Sequence, residues 1–347
     1  MKPGTRIFLT GAAGFIGSNT AEALLRAGCR VVGFDNLAPV YSLEKKLGNL
    51  AQVQRTAPQD FEFVEGDLRD AGALRAALRA KPIDAVIHLA ALAGVQPSIR
   101  DPQAYVEVNV NGTMNVLEAA RESGVKAIVA ASSSSVYGSN TKLPFSESDP
   151  VDHPISPYAA TKKAGELIAH AHHHLHGLSI ANLRFFTVYG PRQRPDLAIY
   201  KFTRAMLAGR EITLYGDGSS RRDYTYIDDC VSGILAATRW VLEGAASTPR
   251  YDIFNLGESQ TVPLLDLVSL LEKNLGVPAK RVHADYLPGD VYATFADLSH
   301  SRAVLGYDPQ VKIEEGIRRF CKWYLKEEKG KPWEVTPPFE KGGPGGI

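Results

Sequence analysis

A short apolar run that leads directly into spaced glycines restricts the fold of this 347-residue chain more than any other feature. Residues 6–10 have the pattern of a buried strand, and a G-x-x-G-x-x-G turn at 11–17 follows at once. A helical pattern comes next, and then a second apolar run, 31–34, that ends at Asp35. Glycines at such a turn let backbone amides approach a pyrophosphate, and the acid accepts hydrogen bonds from a ribose. The pattern therefore predicts a dinucleotide-binding unit, and the negative charge of Asp35 favours NAD over NADP.

Strands and helices continue to alternate as far as residue 184. The predicted strands are 61–64, 85–89, 127–131 and 180–184, and the predicted helices are 71–80, 105–123 and a segment that begins at Pro157. This alternation predicts an α/β fold, a Rossmann-type doubly wound parallel sheet whose ligands gather at the carboxyl ends of its strands. Five residues that follow predicted strands should therefore lie along one edge: Gly11, Asp35, Asp67, Ala90 and Ser133.

A tyrosine and a lysine with helical spacing supply candidate chemistry at that edge. Tyr158 and Lys162 are four residues apart, so they share one face of a helix. An ammonium beside a phenol lowers the pKa of the phenol, which makes Tyr158 a candidate general base for a hydroxyl proton. The serine run 132–135 follows a predicted strand, and its hydroxyls can hold the reacting oxygen.

The pattern becomes less regular after residue 186. We expect a dinucleotide-binding domain at 1–186, a smaller α/β region at 187–330 that mainly binds substrate, and a disordered tail at 331–347. The formal net charge of +1 gives no reason to expect nucleic acid or a membrane as a partner. Three widely separated cysteines favour a reduced, cytoplasmic setting.

A histidine cluster on the Tyr158 helix is the most conspicuous remaining feature. Its members are His170, His172, His173, His174 and His176, and two pairs have the i, i+4 spacing that can bind a metal. No carboxylate or cysteine is set among them. The sequence therefore favours a solvated or subunit-facing helix and predicts no metal site.

Taken together, the glycine turn, the serine run and the Tyr-x-x-x-Lys pair resemble the extended short-chain dehydrogenase/reductase family. Over about residues 5–325 the chain resembles its nucleotide-sugar 4-epimerases, most of all the UDP-glucuronate 4-epimerases. The resemblance implies an isomerase in which Tyr158 takes the proton of the sugar C4 hydroxyl while a hydride passes from C4 to NAD. Lys162 would hold the nicotinamide ribose, and Ser133 would hydrogen-bond the C4 oxygen. The 4-keto sugar then turns over, and the hydride returns to its other face.

The same resemblance implies the ligand contacts. For NAD these are Gly11, Gly14, Phe15, Ile16, Gly17, Asp35, Asn36, Asp67, Leu68, Leu89, Ala90, Ala91, Asn109, Tyr158, Lys162 and Phe186. For the UDP-sugar they are Ser133, Ser134, Ser135, Thr187, Arg194, Lys201, Tyr215, Arg222 and Asp290. Relatives often have an arginine where this chain has Leu287, and Arg192, Arg194 or Lys201 could replace it. The resemblance also implies a homodimer that forms through the helices at 105–123 and 157–175.

Related activities remain as alternatives. Dehydratases and decarboxylases of the family carry carboxylates where this chain has Ser134 and Ser135, so simple epimerisation is favoured. Ser134, Ser135, Thr187 and Arg194 could hold a C6 carboxylate, which favours UDP-glucuronate as the substrate. A 4-epimerase of UDP-glucose, UDP-N-acetylglucosamine or another nucleotide sugar stays open. A protein that senses NAD without chemistry is a more distant alternative.

Overall fold

A seven-stranded parallel sheet forms the framework of the computed structural model, which describes residues 1–331. Within these residues the strands are β1 (Arg6–Thr10), β2 (Arg30–Asp35), β3 (Phe61–Glu65), β4 (Ala85–His88), β5 (Ala127–Ser133), β6 (Ser179–Phe185), β7 (Thr187–Tyr189), β8 (Glu211–Tyr215), β9 (Arg221–Tyr226), β10 (Tyr251–Leu256), β11 (Thr261–Pro263) and β12 (Lys280–Ala284). The large sheet has the order β3-β2-β1-β4-β5-β6-β10. Apart from its first residue, the predicted tail lies outside the described residues.

Helices cover both faces of this sheet. They are α1 (Phe15–Arg26), α2 (Leu43–Thr56), α3 (Ala71–Arg79), α4 (Val95–Arg100), α5 (Pro102–Tyr105), α6 (Gly112–Glu122), α7 (Pro157–His176), α8 (Ala198–Leu207), α9 (Ile227–Ala246), α10 (Leu264–Leu275), α11 (Ser299–Leu305) and α12 (Ile313–Trp323). π-Helical turns at 106–111 and 324–328 extend α5 and α12. Among the helices described, none combines the length and the apolar character needed to cross a bilayer.

The central strands carry buried apolar side chains on both faces because helices cover both sides of the sheet. Ile7 and Leu9 of β1 belong to one core cluster and Phe8 to the other, and all three side chains are fully buried. Strands buried on both faces by helices are typical of parallel sheets. The predicted Rossmann-type α/β fold is therefore confirmed, with the strand order reversing between β1 and β4.

The sheet does not end at the predicted domain boundary. β10 lies well beyond residue 186, yet it pairs in parallel with β6, from Tyr251 opposite Ile180 to Leu256 opposite Phe185. α9 packs against β5 and β6 on the way. Residues 187–330 therefore contribute a strand and a helix to the large sheet, because the outer edge of β6 needs a hydrogen-bonding partner. The rest of this region forms two small sheets, β7-β9-β11 and β8-β12.

Candidate active site

The predicted catalytic side chains meet where β5 ends and α7 begins. Ser156 caps α7 by accepting a hydrogen bond from the Ala159 amide at 3.1 Å, and Pro157 occupies the first turn. This start sets Tyr158 and Lys162 on the helix face that points to the sheet edge. Tyr158 hydrogen-bonds Ser133, the last residue of β5.

The proton affinity of Tyr158 differs from the prediction. Burial raises the pKa of the phenol above its ordinary value, and the hydrogen bond with Ser133 and the positive charge of Arg194 offset this rise only in part. The expectation that Lys162 lowers this pKa towards neutrality is wrong for this structure. The Lys162 ammonium instead donates a hydrogen bond to the backbone oxygen of Ala131 at 2.9 Å.

Lys162 lies in an enclosed, polar environment. Burial lowers its pKa to about 8, and the charge of Glu166 raises it in part. His88 lies close by, with one ring nitrogen 2.8 Å from the Thr10 hydroxyl and the other 3.1 Å from the Thr113 hydroxyl. Burial, together with the charge of Lys162, lowers the pKa of His88 to about 3. His88 is therefore neutral at physiological pH, and the positive charge in this part of the site belongs to Lys162.

Because this ammonium is held in an unfavourable environment, we expect the Lys162→Met variant to be more stable than the wild type at pH 7. The lowered pKa corresponds to about 3 kcal/mol, and the lost hydrogen bond to about 1 kcal/mol, which leaves a gain of about 1–2 kcal/mol. A base whose pKa is lower in the folded state makes the protein more stable as the pH rises from about 8 to 10.5. The difference in the free energy of unfolding between Lys162→Met and the wild type should therefore shrink over that range. Urea denaturation at several pH values measures it. An equal gain in Lys81→Met, which removes a half-exposed lysine, would contradict the explanation.

The four serines of the run have different environments. Ser132 is buried, and its hydroxyl donates to the Glu166 carboxylate at 2.7 Å, so it belongs to the core. The Ser133 hydroxyl donates to the Ser135 hydroxyl and accepts the Ser135 amide, both at 3.1 Å. Ser134 and Ser135 lie in a short 3₁₀ turn and are partly exposed. Three serines, Ser133 to Ser135, are thus available at the sheet edge.

Thr187 and Arg194 follow β6 in the chain, Thr187 as the first residue of β7 and Arg194 in the loop before α8. Ser133 is in register with Phe185 of β6, and Thr187 follows two residues later with a partly exposed side chain. Arg194 pairs with Asp196 through Nε at 3.0 Å and Nη2 at 2.7 Å. Its Nη2 also donates to the Ala93 backbone oxygen at 3.4 Å, and its positive charge lowers the pKa of Tyr158 in part.

The residues predicted for the nucleotide end are brought together in part. Arg222 of β9 pairs with Asp290 at 2.6 Å, using Nη2, while Nη1 donates to the Tyr292 backbone oxygen at 3.2 Å. Tyr215 ends β8 and is partly buried. Lys201 has an exposed side chain on α8, and its contact with the UDP-sugar stays a prediction.

The loop that contains Leu287 contacts α4 and the turn that follows β8. Its Tyr286 ring lies so close to Gly216 that a Cβ atom there would be 2.2 Å from a ring carbon. Gln96 of α4 donates to the Pro288 backbone oxygen at 2.7 Å. Arg192, one suggested replacement for the arginine missing at Leu287, is buried and pairs with Glu22. Its Nη1 has no hydrogen-bond partner among the described residues, and its role as a phosphate ligand stays a prediction.

The glycine turn has the shape that a dinucleotide needs. A Cβ atom at Gly17 would lie 1.9 Å from the Gly11 backbone oxygen, and one at Gly11 would lie 2.8 Å from the Ala90 amide nitrogen. α1 therefore approaches the end of β1 as closely as backbone allows. Gly14 caps the helix without a side chain, which leaves room for a phosphate at the amides of the first turn, Phe15 to Gly17.

Asp35 is oriented to receive a ribose. Its Oδ1 accepts the Leu37 amide at 2.9 Å and lies 3.4 Å from the Lys46 ammonium, and its Oδ2 accepts the Ala13 amide at 3.2 Å. Each carboxylate oxygen has two acceptor positions, so Oδ2 retains one for a ribose hydroxyl. Lys46 offsets the negative charge, so the repulsion of a 2′-phosphate is weaker than the sequence indicates. Nearby, the buried Tyr41 hydroxyl has no hydrogen-bond partner among the described residues, and a bound dinucleotide would supply one.

Some predicted cofactor residues already hydrogen-bond to, or pack against, other parts of the protein. Both amide hydrogens of Asn109 are used, for the Leu92 backbone oxygen at 2.9 Å and the Thr161 hydroxyl at 3.1 Å. The Asp67 carboxylate is held by Arg69 and Asn36, and hydrogen bonding from Arg69 lowers its pKa to about 2. Phe186 is buried in the core. Asn109 and Phe186 therefore contribute to the cofactor site mainly by shaping it.

Leu68, Leu89 and Ala91 line the same sheet edge. Leu68 is buried, whereas Leu89, Ala90 and Ala91 are partly buried just past β4. Sequence reasoning missed Tyr41, Lys46 and His88. Tyr41 and Lys46 lie in a part of the chain for which no helix or strand was predicted. Only their position shortly after Asp35 in the chain could have suggested a role.

Comparison with known proteins agrees with this geometry. UDP-glucuronate 4-epimerase 3 of Arabidopsis thaliana is 44% identical over 334 residues, covering 93% of this chain and 77% of that protein. The crystal structure of the UDP-glucuronic acid 4-epimerase of Bacillus cereus with UDP-glucuronic acid and NAD has a TM-score of 0.84 at 35% identity, covering 93% and 99% of the two chains. The UDP-glucose 4-epimerase of Thermotoga maritima, solved with UDP-glucose, has a TM-score of 0.81 at 30% identity, covering 93% and 99%.

The family-level comparison is equally direct. Residues 7–257, which contain the glycine turn, the serine run and the Tyr158–Lys162 pair, match the NAD dependent epimerase/dehydratase family. This match covers well over half of the chain, and the bound NAD in the Bacillus cereus structure agrees with the cofactor predicted from Asp35. The chain belongs to the NAD-dependent epimerase/dehydratase family.

Proposed function

We propose that this protein is an isomerase that converts UDP-glucuronate to UDP-galacturonate by NAD-dependent epimerisation at C4. The observation that carries the proposal is the hydrogen bond between Tyr158 of α7 and Ser133 at the end of β5, with Lys162 one turn further along α7. No carboxylate stands at positions 134 and 135, where a dehydratase or decarboxylase needs an acid or a base. The similarity to UDP-glucuronate 4-epimerases supports the same reaction.

Each of the catalytic side chains has a separate role in the reaction at C4. The charge of Arg194 and, with NAD bound, the positive charge of the oxidised nicotinamide would favour the phenolate of Tyr158. The phenolate receives the proton of the C4 hydroxyl and later returns it, and Ser133 steadies the reacting oxygen. Lys162 would supply positive charge beside the reacting centre and would hold the nicotinamide ribose. When bound, NAD would supply the hydride acceptor and donor for C4. The residues therefore need to hold one proton through both halves of the reaction, and no net proton is consumed.

The sugar acid requires an additional function of the site. A 4-keto glucuronate is a β-keto acid, which loses CO₂ when the bond to its carboxylate lines up with the carbonyl π system. Ser134, Ser135 and Thr187 offer hydroxyls at the sheet edge, and Arg194 offers a charge whose Nη1 is not used by Asp196. We propose that these four residues hold the carboxylate out of line with that π system.

This role gives a specific expectation for the Thr187→Ala variant. It should release more CO₂ per turnover than the wild type and lose about 10-fold in kcat/KM for UDP-glucuronate, because one hydrogen bond to a charged group corresponds to about 1.5 kcal/mol. Product analysis after incubation with carboxyl-labelled UDP-glucuronate measures both quantities. Ser132→Ala, in which the altered hydroxyl contacts Glu166 in the core, is the matched control and should not release extra CO₂. Unchanged rate and CO₂ release in Thr187→Ala would exclude a role for Thr187 in holding the carboxylate.

The substrate itself is tested by incubating the purified protein with separate UDP-sugars and no added reductant. UDP-galacturonate formed from UDP-glucuronate is the expected result. Faster epimerisation of UDP-glucose or UDP-N-acetylglucosamine would transfer the proposal to those sugars. An absence of turnover with every UDP-sugar, accompanied by NAD binding, would instead favour a sensing protein.

We further propose a homodimer located in the cytoplasm. Support for the dimer comes from an apolar surface on α6 and α7, where Met114, Leu167 and Leu175 have exposed fractions of 39%, 59% and 70%. A surface of this kind is typical of a protein–protein contact. Three buried cysteines without disulfides, Cys29, Cys230 and Cys321, support a reducing compartment.

A further inference from the structure

A cluster of three metal-ligand side chains lies on the outer helices, away from the sheet edge. Glu118 comes from α6, and His172 and His176 come from successive turns of α7. One ligand atom from each side chain lies within 4.8 Å of the other two. The sequence shows no carboxylate among the histidines, but the packing of α6 on α7 supplies one. The prediction of no metal site considered the histidines alone, and the carboxylate comes from a separate helix.

The orientation of His172 is fixed by the helix backbone. Its Nδ1 lies 2.9 Å from the Ile168 carbonyl oxygen, which can only accept, so Nδ1 carries a hydrogen. Its Nε2 then faces Oε1 of Glu118 at 2.7 Å. A neutral imidazole in this tautomer presents a lone pair to a carboxylate oxygen, and two lone pairs repel each other. A metal ion bound by both atoms would remove this repulsion.

Further contacts favour a site for a metal ion. Arg121 holds the other carboxylate oxygen of Glu118, Oε2, at 2.7 and 3.1 Å, which leaves Oε1 directed at the histidines. The His176 ring lies 5.6 Å from the His172 ring, at the exposed side of the cluster. A metal-binding histidine usually donates its other ring N–H to a carbonyl, as His172 does to Ile168.

We propose that Glu118, His172 and His176 bind one divalent transition-metal ion, for which Zn²⁺ has the best-matched chemistry. Two imidazole nitrogens and one carboxylate oxygen are a common three-ligand set for zinc, and solvent can fill the fourth position. Mg²⁺ and Ca²⁺ prefer oxygen ligands and do not match this set.

The proposed ion is structural. His172 lies fourteen residues after Tyr158 on the same helix, about 21 Å along its axis, so the ion takes no part in the chemistry at C4. It would join the last turns of α7 to α6. These two helices also carry the proposed dimer surface, so the ion would stabilise the helix that holds the catalytic residues and the face that meets a partner.

Zinc titration of the full, tag-free, chelator-treated protein tests the proposal. Calorimetry in competition with a chelator should show one Zn²⁺ per chain in the wild type, and Mg²⁺ should not bind there. The His176→Ala variant should bind zinc at least about 100-fold more weakly, since loss of even an outer-shell contact costs about 10–100-fold. Glu118→Gln keeps the size of the side chain but removes its charge, and it should bind about 10-fold more weakly. His174→Ala removes an exposed histidine of the same helix that is not one of the three proposed ligands, and this variant should bind zinc like the wild type.

Thermal unfolding provides a second readout that does not depend on turnover. Zinc should raise the Tm of the wild type and of His174→Ala, but not that of His176→Ala. Equal zinc binding by His176→Ala and His174→Ala would overturn the proposal. Absence of both a stoichiometric heat and a Tm shift in the wild type would also overturn it.

Discussion

The Tyr158→Phe variant is expected to turn over UDP-glucuronate about 1,000-fold more slowly than the wild type, because a positioned general acid–base group contributes about 10²–10⁴-fold. The change removes only the hydroxyl that hydrogen-bonds Ser133, so the ring still fills its place. Loss of turnover should therefore appear in kcat, with substrate binding and Tm close to the wild-type values. Steady-state assays of UDP-galacturonate formation and a thermal melt measure the three quantities.

A neighbouring tyrosine gives this experiment its control. The Tyr105 ring lies 6.1 Å from the Tyr158 ring in an edge-on contact, and Tyr105 is also buried. Tyr105→Phe removes a phenol hydroxyl from nearly the same environment but not from the C4 oxygen, and its kcat should stay close to that of the wild type. Equal losses in the two variants would mean that packing around the rings, and not proton transfer by Tyr158, limits the reaction.

The second large effect is expected in stability. Glu166 and Arg184 are each 1% exposed, and the guanidinium donates to the carboxylate through Nε at 2.8 Å and Nη2 at 2.9 Å. Removal of one member of a buried ion pair leaves the other charge without compensation, which costs about 3–5 kcal/mol. We therefore expect Glu166→Gln to lower the free energy of unfolding by that amount, measured by urea denaturation at pH 7.

The effect should depend on pH in a defined direction. Burial raises the pKa of Glu166, but the hydrogen bonds and charge of Arg184 outweigh it and hold this pKa below its ordinary value. A lowered folded-state pKa of an acid contributes stability above the unfolded-state pKa, and this contribution is lost as the pH falls below about 4. The wild type and Glu166→Gln should therefore converge in acid.

A surface pair offers the matched comparison for this variant. Glu62 pairs with Lys81, and both side chains are nearly half exposed. Glu62→Gln should change the free energy of unfolding by about 1 kcal/mol or less. If Glu166→Gln also changed it by no more than that, the buried pair would not stabilise the fold as argued.

The large sheet was predictable because its strands are buried on both faces. The apolar run at 6–10 coincides with β1, and the run at 180–184 differs from β6 by one residue at each end. The polar residues that follow these runs, Asp35 and Ser133, do lie at one edge, since parallel strands all end there. The strands and the residues at their ends can therefore be predicted from the hydrophobic pattern of short stretches of the sequence.

β10 was not predicted, because polar residues interrupt the apolar pattern that would mark it as a buried strand. Asn255 and Asp252 interrupt the apolar pattern of Tyr251–Leu256, and nothing nearby in the chain satisfies Asn255. In the structure its amide donates to the Phe145 backbone oxygen at 2.9 Å and accepts the Tyr137 hydroxyl at 2.7 Å. These partners lie more than a hundred residues away, so only the folded chain reveals that the site can hold an asparagine.

The candidate site divides in the same way. The Tyr158–Lys162 spacing and the serine run are local patterns, and the residues do converge. The direction of the Tyr158 pKa was not predictable, because it depends on burial and on Arg194, which is distant in the chain. The ion pair of Glu166 with Arg184 and the contact of Glu118 with His172 likewise join separate elements.

The late arrival of β10 has a consequence for synthesis on the ribosome. β6 ends at Phe185, but the strand that covers its outer edge is complete only at Leu256, about 70 residues later. At ~5–20 residues per second, a nascent chain would expose an open, apolar strand edge for about 4–14 s. During that interval the cell must keep neighbouring nascent chains apart, because an uncovered edge recruits any strand that it meets.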